Sequence, residues 1–588
     1  MRFRVQSLAP EMSDSFPSVL KRSNNNSLRE WSVAALVSVC VSLAVVAPFF
    51  RLGTASGHDV AFHMASWLDA AGQWKEGVLF PRWTEWANFG FGEPRFIFYP
   101  PLSWLFGAFL GTLIPWQSVA LAFNVCAQVL AGLSMYALMR RINDNRFAAL
   151  LGAGCFAANP YALLIVYMRS DFAELLAIAF FPLLFLAALR VSGDLGGGEK
   201  RDWLRNTFPF AVWFCAIWLS NAPAAVIATY SVALVFAIAA WRQRSAVPLK
   251  NGTSGMALGF GFAAFYLVPA IYEQRWVNIS GALAGGLRPA ENFLFAKTSD
   301  AEHDDFNRIA SQLAVLLIVW VCVAGIAAWR LRSAGSDSSR KSIPLLTTRF
   351  LAAGAIFLML PISNVLWRVL PELRFVQFPW RWMSVLAVCA MILTAVAARD
   401  WLRWGWLMCA AVVLTGSGYL LVKKAWWDTE DMPALQAALK NGAGFEGTDE
   451  YDPIGDDRTD LPQQRQRAVM LNGSADSEAH KEAKIVVERW SAEHRMVRVV
   501  ANKPGRLAVE LLNYPGWQVT LNGNLILPQH AKGTEQMIVA VPAGESEIHI
   551  DFARTIDRAA GGWISALSFL ASLGAIGWKR RTAQSANA

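Results

Sequence analysis

Runs of about twenty apolar residues recur from one end of this chain to the other, and such runs leave a polypeptide few options. In hydrocarbon every backbone N–H and C=O has to be paired within the segment, so each run is expected to form a spanning helix. The runs lie near 31–50, 117–139, 147–166, 175–190, 206–220, 222–240, 253–271, 310–329, 345–361, 379–398, 404–422 and 559–578. Many of the intervening loops are short and basic, carrying Arg140, Arg141 and Arg146, then Arg190, Lys200, Arg201 and Arg205, then Arg242, Arg244 and Lys250. Arg330, Arg332, Arg340 and Lys341, Arg399 and Arg403, and the terminal Lys579-Arg580-Arg581 continue the series. A net charge of +9 distributed this way reflects the positive-inside bias of membrane proteins, and no nucleic-acid partner is expected. With 55% hydrophobic and 16% charged residues, the fold class is a polytopic α-helical membrane protein.

One further run, 98–116, is apolar enough to cross but is bracketed by Pro100-Pro101 and Pro115. Topology decides its status. If it does not cross, every basic loop named above falls on the cytoplasmic side; if it does, all of them fall outside. The charge bias therefore makes it a partly embedded helix of the first outer loop, leaving twelve crossings with both termini cytoplasmic. Arg2, Arg4, Lys21, Arg22 and Arg29 precede a first run that lacks a small-residue cleavage site, so an uncleaved anchor is expected there. All seven Cys lie in apolar runs without CxxC or metal-type spacing, so neither disulfides nor a zinc site is expected.

The outer side then receives 51–101, a short loop at 167–174, Asn221-Ala222-Pro223, 273–308, 362–379 and a large segment at 423–556. All seven His fall in these outer segments. The large segment opens acidic and Gly-rich (428–460). It continues as alternating runs at 485–490, 496–500, 507–512, 517–521, 537–541 and 547–552, separated by turns such as Tyr514-Pro515-Gly516 and Asn522-Gly523-Asn524. Short strands at that spacing predict an antiparallel β-sandwich inserted before the last helix. The organisation is thus a tail at 1–30, a membrane domain at 31–422 with outer loop 51–101, an extracytoplasmic domain at 423–556, and a last helix with a basic tail at 557–588.

The first outer loop carries the densest chemistry. Val60, Met64, Trp67, Leu68, Ala71 and Trp74 recur at three- and four-residue steps, which predicts an amphipathic helix in the membrane interface with its Trp side toward lipid. Asp59, His63, Ser66 and Gln73 share the other face. Asp59 either caps this helix or faces a bound group. Asp171 and Glu174 follow a span on the same side, beside Arg169. Three carboxylates around one cavity can share a divalent cation such as Mg or Mn, or one of them, desolvated, can serve as a base; Asp171 or Glu174 can instead simply pair with Arg169 at the interface. Arg381, between Trp380 and Trp382 at a helix start, either grips a lipid phosphate or snorkels to headgroups. His58 and His63 form a single His-x4-His pair, a weak ligand set. The sequence holds no GxxxxGK[ST], no GxGxxG after a strand and no GxSxG, so nucleotide hydrolysis and serine hydrolase chemistry find no support.

These features resemble the GT-C superfamily of membrane glycosyltransferases: Gly57-His58-Asp59 in the first outer loop, an interfacial helix, Tyr99-Pro100-Pro101-Leu102 entering a partly embedded helix, and Arg169 with Asp171 and Glu174. The second acidic loop is similar to that of oligosaccharyltransferase catalytic subunits. More closely, the chain resembles bacterial membrane proteins called 6-pyruvoyl-tetrahydropterin synthase-related, and more distantly the YfhO-type proteins. The shared residues are His58-Asp59 with His63, Phe80-Pro81-Arg82-Trp83, Asn88-Phe89-Gly90-Phe91-Gly92, Phe98-Tyr99-Pro100-Pro101-Leu102, Arg169 with Glu174, and Gln377-Phe378-Pro379-Trp380-Arg381.

That resemblance implies a glycosyltransferase of the bacterial inner membrane, moving a sugar from a polyprenyl-phosphate donor to a glycan, lipid or protein acceptor at the outer face. Asp59, Asp171 and Glu174 would be the acidic catalytic set, and His58, His63, Arg169, Gln377 and Arg381 would contact substrate. Many GT-C members carry two acids in the first loop where this chain has His58-Asp59, which leaves the cation open. The rival expectation is a non-catalytic lipid-carrier transporter or cell-envelope assembly scaffold on the same fold.

Overall fold

A computed structural model describes residues 16–195, 203–333, 342–398, 402–455, 461, 466–471 and 483–585. Several expectations lie outside the described residues: the tail 1–15, Lys200, Arg201, Arg340, Lys341, Arg399, His480, and the end of the acidic segment at 456–460. The side chains of Arg205, Arg332, Lys579, Arg580 and Arg581 lie outside them too.

Among the described residues ten helices are long and apolar enough to cross a bilayer. They are Leu28–Leu52, Trp116–Ile142, Arg146–Arg169, Phe172–Val191, Ala222–Gln243, Val247–Trp276, Ala301–Leu331, Pro379–Ala397, Arg403–Lys424 and Ile556–Gly577. Two of the twelve expected crossings differ from simple rods. The run at 345–361 becomes a pair, Leu345–Leu358 and Pro361–Val369, bent by 90°. The run at 206–220 gives only the short apolar helix Asn206–Trp218, which contains Pro209.

The elements that place the site are α1 (Phe16–Val46), α2 (Val60–Lys75), α3 (Pro101–Leu113), α4 (Val119–Ile142), α5 (Phe172–Ala179), α6 (Ala222–Gln243), α7 (Val247–Glu273) and α8 (Ile556–Ser585). α1 starts inside the stretch expected to be a tail. At one end of the bundle Glu30 pairs with Arg140 (3.0 Å) and Arg146, and Asp194 pairs with Arg242. There too the Asn143 side chain donates to the Ala395 carbonyl at 2.6 Å. At the other end Thr54 pairs with Asp428 in a two-residue strand ladder.

Because α1 and α4 touch at Glu30 and Arg140, the start of α4 lies at the opposite end, beside the end of α1. α3 starts at that same end, where Leu102 N–H donates to the Leu219 carbonyl (2.7 Å). Its thirteen residues reach about 20 Å, short of the ~30 Å hydrocarbon core. α3 therefore turns back, as the charge bias required, with Gly111 tight against the Trp116 ring.

α2 departs from expectation. Its apolar face does not meet lipid. Val60, Met64, Trp67 and Ala71 are buried, and so are His63, Ser66, Asp69 and Gln73 on the other face. Trp67 stacks on Phe123 (5.5 Å, 10°), and a Cβ at Gly107 of α3 would sit 2.3 Å from its ring. A helix roofed by α3 and α4 gains protein contacts on both faces, which periodicity cannot distinguish from a lipid face.

After the last span but one, nine strands among the described residues form two sheets. They are β1 (Ala468–Leu471), β2 (Ala483–Trp490), β3 (His494–Ala501), β4 (Gly505–Leu512), β5 (Trp517–Leu521), β6 (Asn524–Ile526), β7 (Gln529–His530), β8 (Gln536–Val541) and β9 (Gly544–Phe552). One sheet runs β1-β4-β8-β7 and the other β2-β3-β9-β5-β6, all pairs antiparallel. Val497, Val499, Val509, Leu511, Ile548 and Ile550 fill the space between them.

This sandwich is not tethered loosely. Trp83, Phe91, Ile97 and Phe98 of the first loop belong to the same core. Beneath it, buried Glu273 at the end of α7 accepts from Nε and Nη2 of Arg558 in α8 (2.7 Å each) and from the Tyr514 hydroxyl (2.6 Å). The membrane helices and the sandwich are thus joined through a fully hydrogen-bonded buried ion pair.

Candidate functional site

The long loop that follows α1 and the 167–171 loop are stitched together by backbone. Asp59 N–H donates to the Arg169 carbonyl (2.9 Å) and His58 N–H to that of Met168 (3.3 Å). Gly57 N–H donates to Ser170 Oγ (3.0 Å), whose hydroxyl donates to the Ala55 carbonyl (2.7 Å). The approach needs glycine, since a Cβ at Gly57 would lie 2.5 Å from the Met168 oxygen. It also needs the left-handed Ser170 (φ 51°), which ends the preceding helix and turns Arg169 and Asp171 toward Asp59.

The side chains then meet. Arg169 Nη2 donates to Asp59 Oδ2 at 2.6 Å, with Asp59 about a third exposed. Asp59 holds the cap position of α2 but makes no side-chain cap bond, so its carboxylate is committed to Arg169. Asp171 does cap α5, accepting from Glu174 N–H at 2.9 Å. It also lies 3.4 Å from Arg381, 3.8 Å from Arg169 and 3.6 Å from His63 Nε2. Burial alone would raise the Asp171 carboxyl, but His63, Arg381 and Arg169 outweigh it and hold it well below the usual carboxylate range. Glu174 pairs with Arg381 Nε (3.0 Å) and accepts the Tyr161 hydroxyl.

Arg381 is buried rather than snorkelling. It donates to the Val376 carbonyl (3.0 Å) and to Gln377 Oε1 (3.4 Å), and its guanidinium lies over the Phe378 ring. Arg169 lies over Phe378 and Trp380. Three carboxylates and two guanidinium groups thus form one network.

A cavity of about 890 Å³ opens beside it. Asp59, Arg169, Asp171, Gln377 and Arg381 line its charged side. Trp218, Val226, Phe260, Leu267 and Ile271, from the short helix, α6 and α7, line an apolar side. Ile271 is 64% and Phe260 37% exposed on the helix surface, so the apolar side reaches the part of α7 that would face lipid. Arg95, Tyr99, Thr448 and Glu450 close the end nearest the sandwich. Burial, followed by the charges of Asp171 and Asp59, pushes the Tyr99 phenol well above its usual value, leaving a hydroxyl donor.

Asp59, Asp171, Arg169, Gln377 and Arg381 are brought together on the wall, while Glu174 sits behind Arg381. The two histidines expected to contact substrate are placed elsewhere. His63 is buried behind Asp171, ringed by Phe62, Tyr99 and Phe172, and His58 packs on Phe306 at 4.8 Å. Neither lines the cavity. Among the described residues no group of three His, Cys, Asp or Glu side chains is arranged to hold a metal ion. Each expected carboxylate faces a guanidinium instead, so the set does not fit a shared Mg or Mn ion.

Sequence reasoning missed Arg95, Glu93 and Glu450. Arg95 is buried, donating to Glu93 (2.6 Å), Ser66 (3.0 Å) and Thr448 (3.2 Å). The signal available was a charged pair, Glu93-Pro94-Arg95, inside an otherwise aromatic stretch.

The family described as 6-pyruvoyl-tetrahydropterin synthase related domain, membrane protein, matches residues 96–427, more than half of the chain. The chain belongs to this family. The match covers most of the membrane domain, including Arg169, Asp171, Gln377 and Arg381, and stops before the sandwich. No match was found among curated proteins. Among solved structures, this member of the family is similar to the Archaeoglobus fulgidus oligosaccharyltransferase in the apo form. That pair shares 15% identity over 73% of this chain and 61% of the other, with a TM-score of 0.40. The same values hold for the archaeal oligosaccharyltransferase AglB in complex with an inhibitory peptide and a dolichol-phosphate. The arabinofuranosyltransferase AftD from Mycobacteria shares 15% identity over 67% of this chain and 26% of its own, with a TM-score of 0.39. The chain thus spans less than two thirds of the length of each.

Proposed function

We propose that the chain is a GT-C-type glycosyltransferase that moves a sugar from a polyprenyl-phosphate donor to an acceptor at the outer face of a bacterial inner membrane. The observation that carries this reading is the charged network of Asp59, Arg169, Asp171 and Arg381 at one side of a cavity whose other side is apolar and reaches the surface of α7. An amphiphile with an anionic head suits both sides at once. Departure of a phosphate from the sugar develops negative charge, which Arg169 and Arg381 are placed to offset. Asp171 and Glu174 hold Arg381 in place, and Asp59, fixed by Arg169, orients the acceptor hydroxyl. The pairs Arg140–Glu30 and Arg242–Asp194 fall at the far end with the basic loops, which supports a cytoplasmic assignment for that end and an outer one for the site.

One observation favours the carrier or scaffold reading: both arginines are already paired with carboxylates, which suits retention of a lipid phosphate without turnover. Thermal unfolding with farnesyl phosphate carrying mannose, glucose, galactose or arabinose tests the donor site. A ligand at a hundred times its Kd adds about 2.7 kcal/mol. The proposal expects such a shift in wild type and in Asp59→Ala, and none in Arg169→Ala. Absence of any shift in folded wild-type protein rules the donor site out.

A further inference from the structure

The end of the cavity nearest the sandwich is built by a strap, 444–452, that follows the last membrane span but one in sequence and returns to the first outer loop. It is pinned along its length. Phe445 N–H donates to the Trp86 carbonyl (2.9 Å), and Phe89 N–H to that of Phe445 (3.0 Å). Thr448 N–H donates to Glu93 Oε2 (2.8 Å), Arg95 donates to Thr448 Oγ1 (3.2 Å), and Asn88 donates to Asp452 Oδ1 (2.8 Å). Tyr451 stacks on Phe98 (5.8 Å, 10°). Gly447 sits where a Cβ would lie 1.9 Å from Asn88 Oδ1, so the strap is pressed directly onto the loop. Thr448, Glu450 and Tyr451 thereby join Asp59 and Tyr99 on one wall.

A transferase of the proposed kind has to remove a proton from the acceptor hydroxyl. Of the other carboxylates lining the cavity, Asp59 and Asp171 are committed to guanidinium groups at 2.6 and 3.4 Å, and Glu372 and Glu446 are exposed to solvent. Glu450 makes no ion pair among the described residues and is half-buried in the wall. The charged groups around it are Glu93 and Arg95 of the first loop and Asp59 at the start of α2.

Resting on the transferase reading, we infer that Glu450, supplied by the strap, is the catalytic residue that takes the acceptor's proton. In that step the acceptor oxygen bonds to the anomeric carbon and its proton passes to the Glu450 carboxylate. The bond from the anomeric carbon to the phosphate oxygen breaks, and the phosphate leaves with the electron pair. Burial, with Glu93 adding to it, raises the Glu450 carboxyl to about 7, a suitable value for a base working near neutrality.

The test is sugar transfer by the purified full chain from the four farnesyl-phosphate sugars to octyl glucoside, followed across pH. Wild type is expected to gain rate as pH rises through about 7. Glu450→Gln should lose at least a hundredfold in kcat, a typical general-base contribution, while its KM for donor and its donor-induced thermal shift stay within about twofold. Glu450→Asp should keep the pH-dependent limb at a reduced rate. Transfer by Glu450→Gln at the wild-type rate and with the wild-type pH profile overturns the assignment alone. A wild type that neither binds nor cleaves any donor overturns the transferase reading, and this assignment with it.

Discussion

Arg169 Nη2 lies 2.6 Å from Asp59 Oδ2, although 110 residues separate the two in sequence. The contact depends on backbone fit more than on side-chain reach, because the two loops are joined by hydrogen bonds at Gly57, His58 and Asp59. That dependence gives a direct expectation for Gly57→Ala. The added methyl would meet the Met168 carbonyl at 2.5 Å, so the loops have to separate. Overpacking of this kind destabilises by about 1–3 kcal/mol, and the displaced Asp59 is expected to lose most of its contribution to transfer. Crystallography or cysteine cross-linking across the two loops, alongside turnover, checks this; unchanged loop spacing and full activity contradict it.

Arg381 is expected to behave differently from Arg169. It is buried with Asp171 and Glu174, so Arg381→Ala leaves two carboxylates without their guanidinium. Breaking a buried pair this way typically costs about 3–5 kcal/mol. The partly exposed Asp59–Arg169 pair is worth about 1 kcal/mol or less. Asp59→Asn should therefore unfold within a few degrees of wild type, whereas Arg381→Ala should lose much of its thermal stability in detergent. Equal unfolding temperatures for the two variants contradict the burial argument.

Glu450 makes stability depend on pH with a definite sign. Its carboxyl titrates at about 7 in the folded chain against an ordinary 4.5. The folded state therefore keeps a proton that the unfolded state has released. The resulting stabilisation is complete below the ordinary value and is lost as pH rises through about 7. Glu450→Gln keeps the neutral form throughout, so the difference between wild type and variant should shift against wild type from pH 5 to pH 8. After allowance for solvent screening of a half-buried group, about 1–2 kcal/mol is expected. Parallel Tm curves over that range contradict the assigned environment.

The membrane architecture was legible because apolar run length and loop charge respond to a thick, directional solvent. α3 is the clearest case: loop charge alone required it to turn back, and its thirteen residues do. Strands β3, β5 and β9 were legible for a related reason, since one face of each is buried and alternation records it. β4 and β8 are buried on both faces and β2 on neither, so run length and flanking turns marked them instead. Trp67 was not, because an apolar helix face reads the same whether it meets lipid or the Phe123 ring. His63 looked exposed for binding yet lies behind Asp171, since helix periodicity gives a face but not what covers it. The strap was the least legible element. Thr448 meets Glu93 across 355 residues through irregular backbone, where neither period nor propensity leaves a mark.

The central claim is that this cavity cleaves a sugar from a lipid phosphate. The most direct measurement is release of farnesyl phosphate from radiolabelled farnesyl-phosphate sugars by purified wild type, beside Asp59→Asn shown to be folded and to bind donor. The account predicts time-dependent release by wild type with at least one sugar and a loss of about a hundredfold in the variant, the scale of a misplaced acceptor hydroxyl. Saturable binding of donor by wild type with no release under any acceptor condition would contradict it, and would identify the chain as a lipid-carrier protein built on a transferase fold.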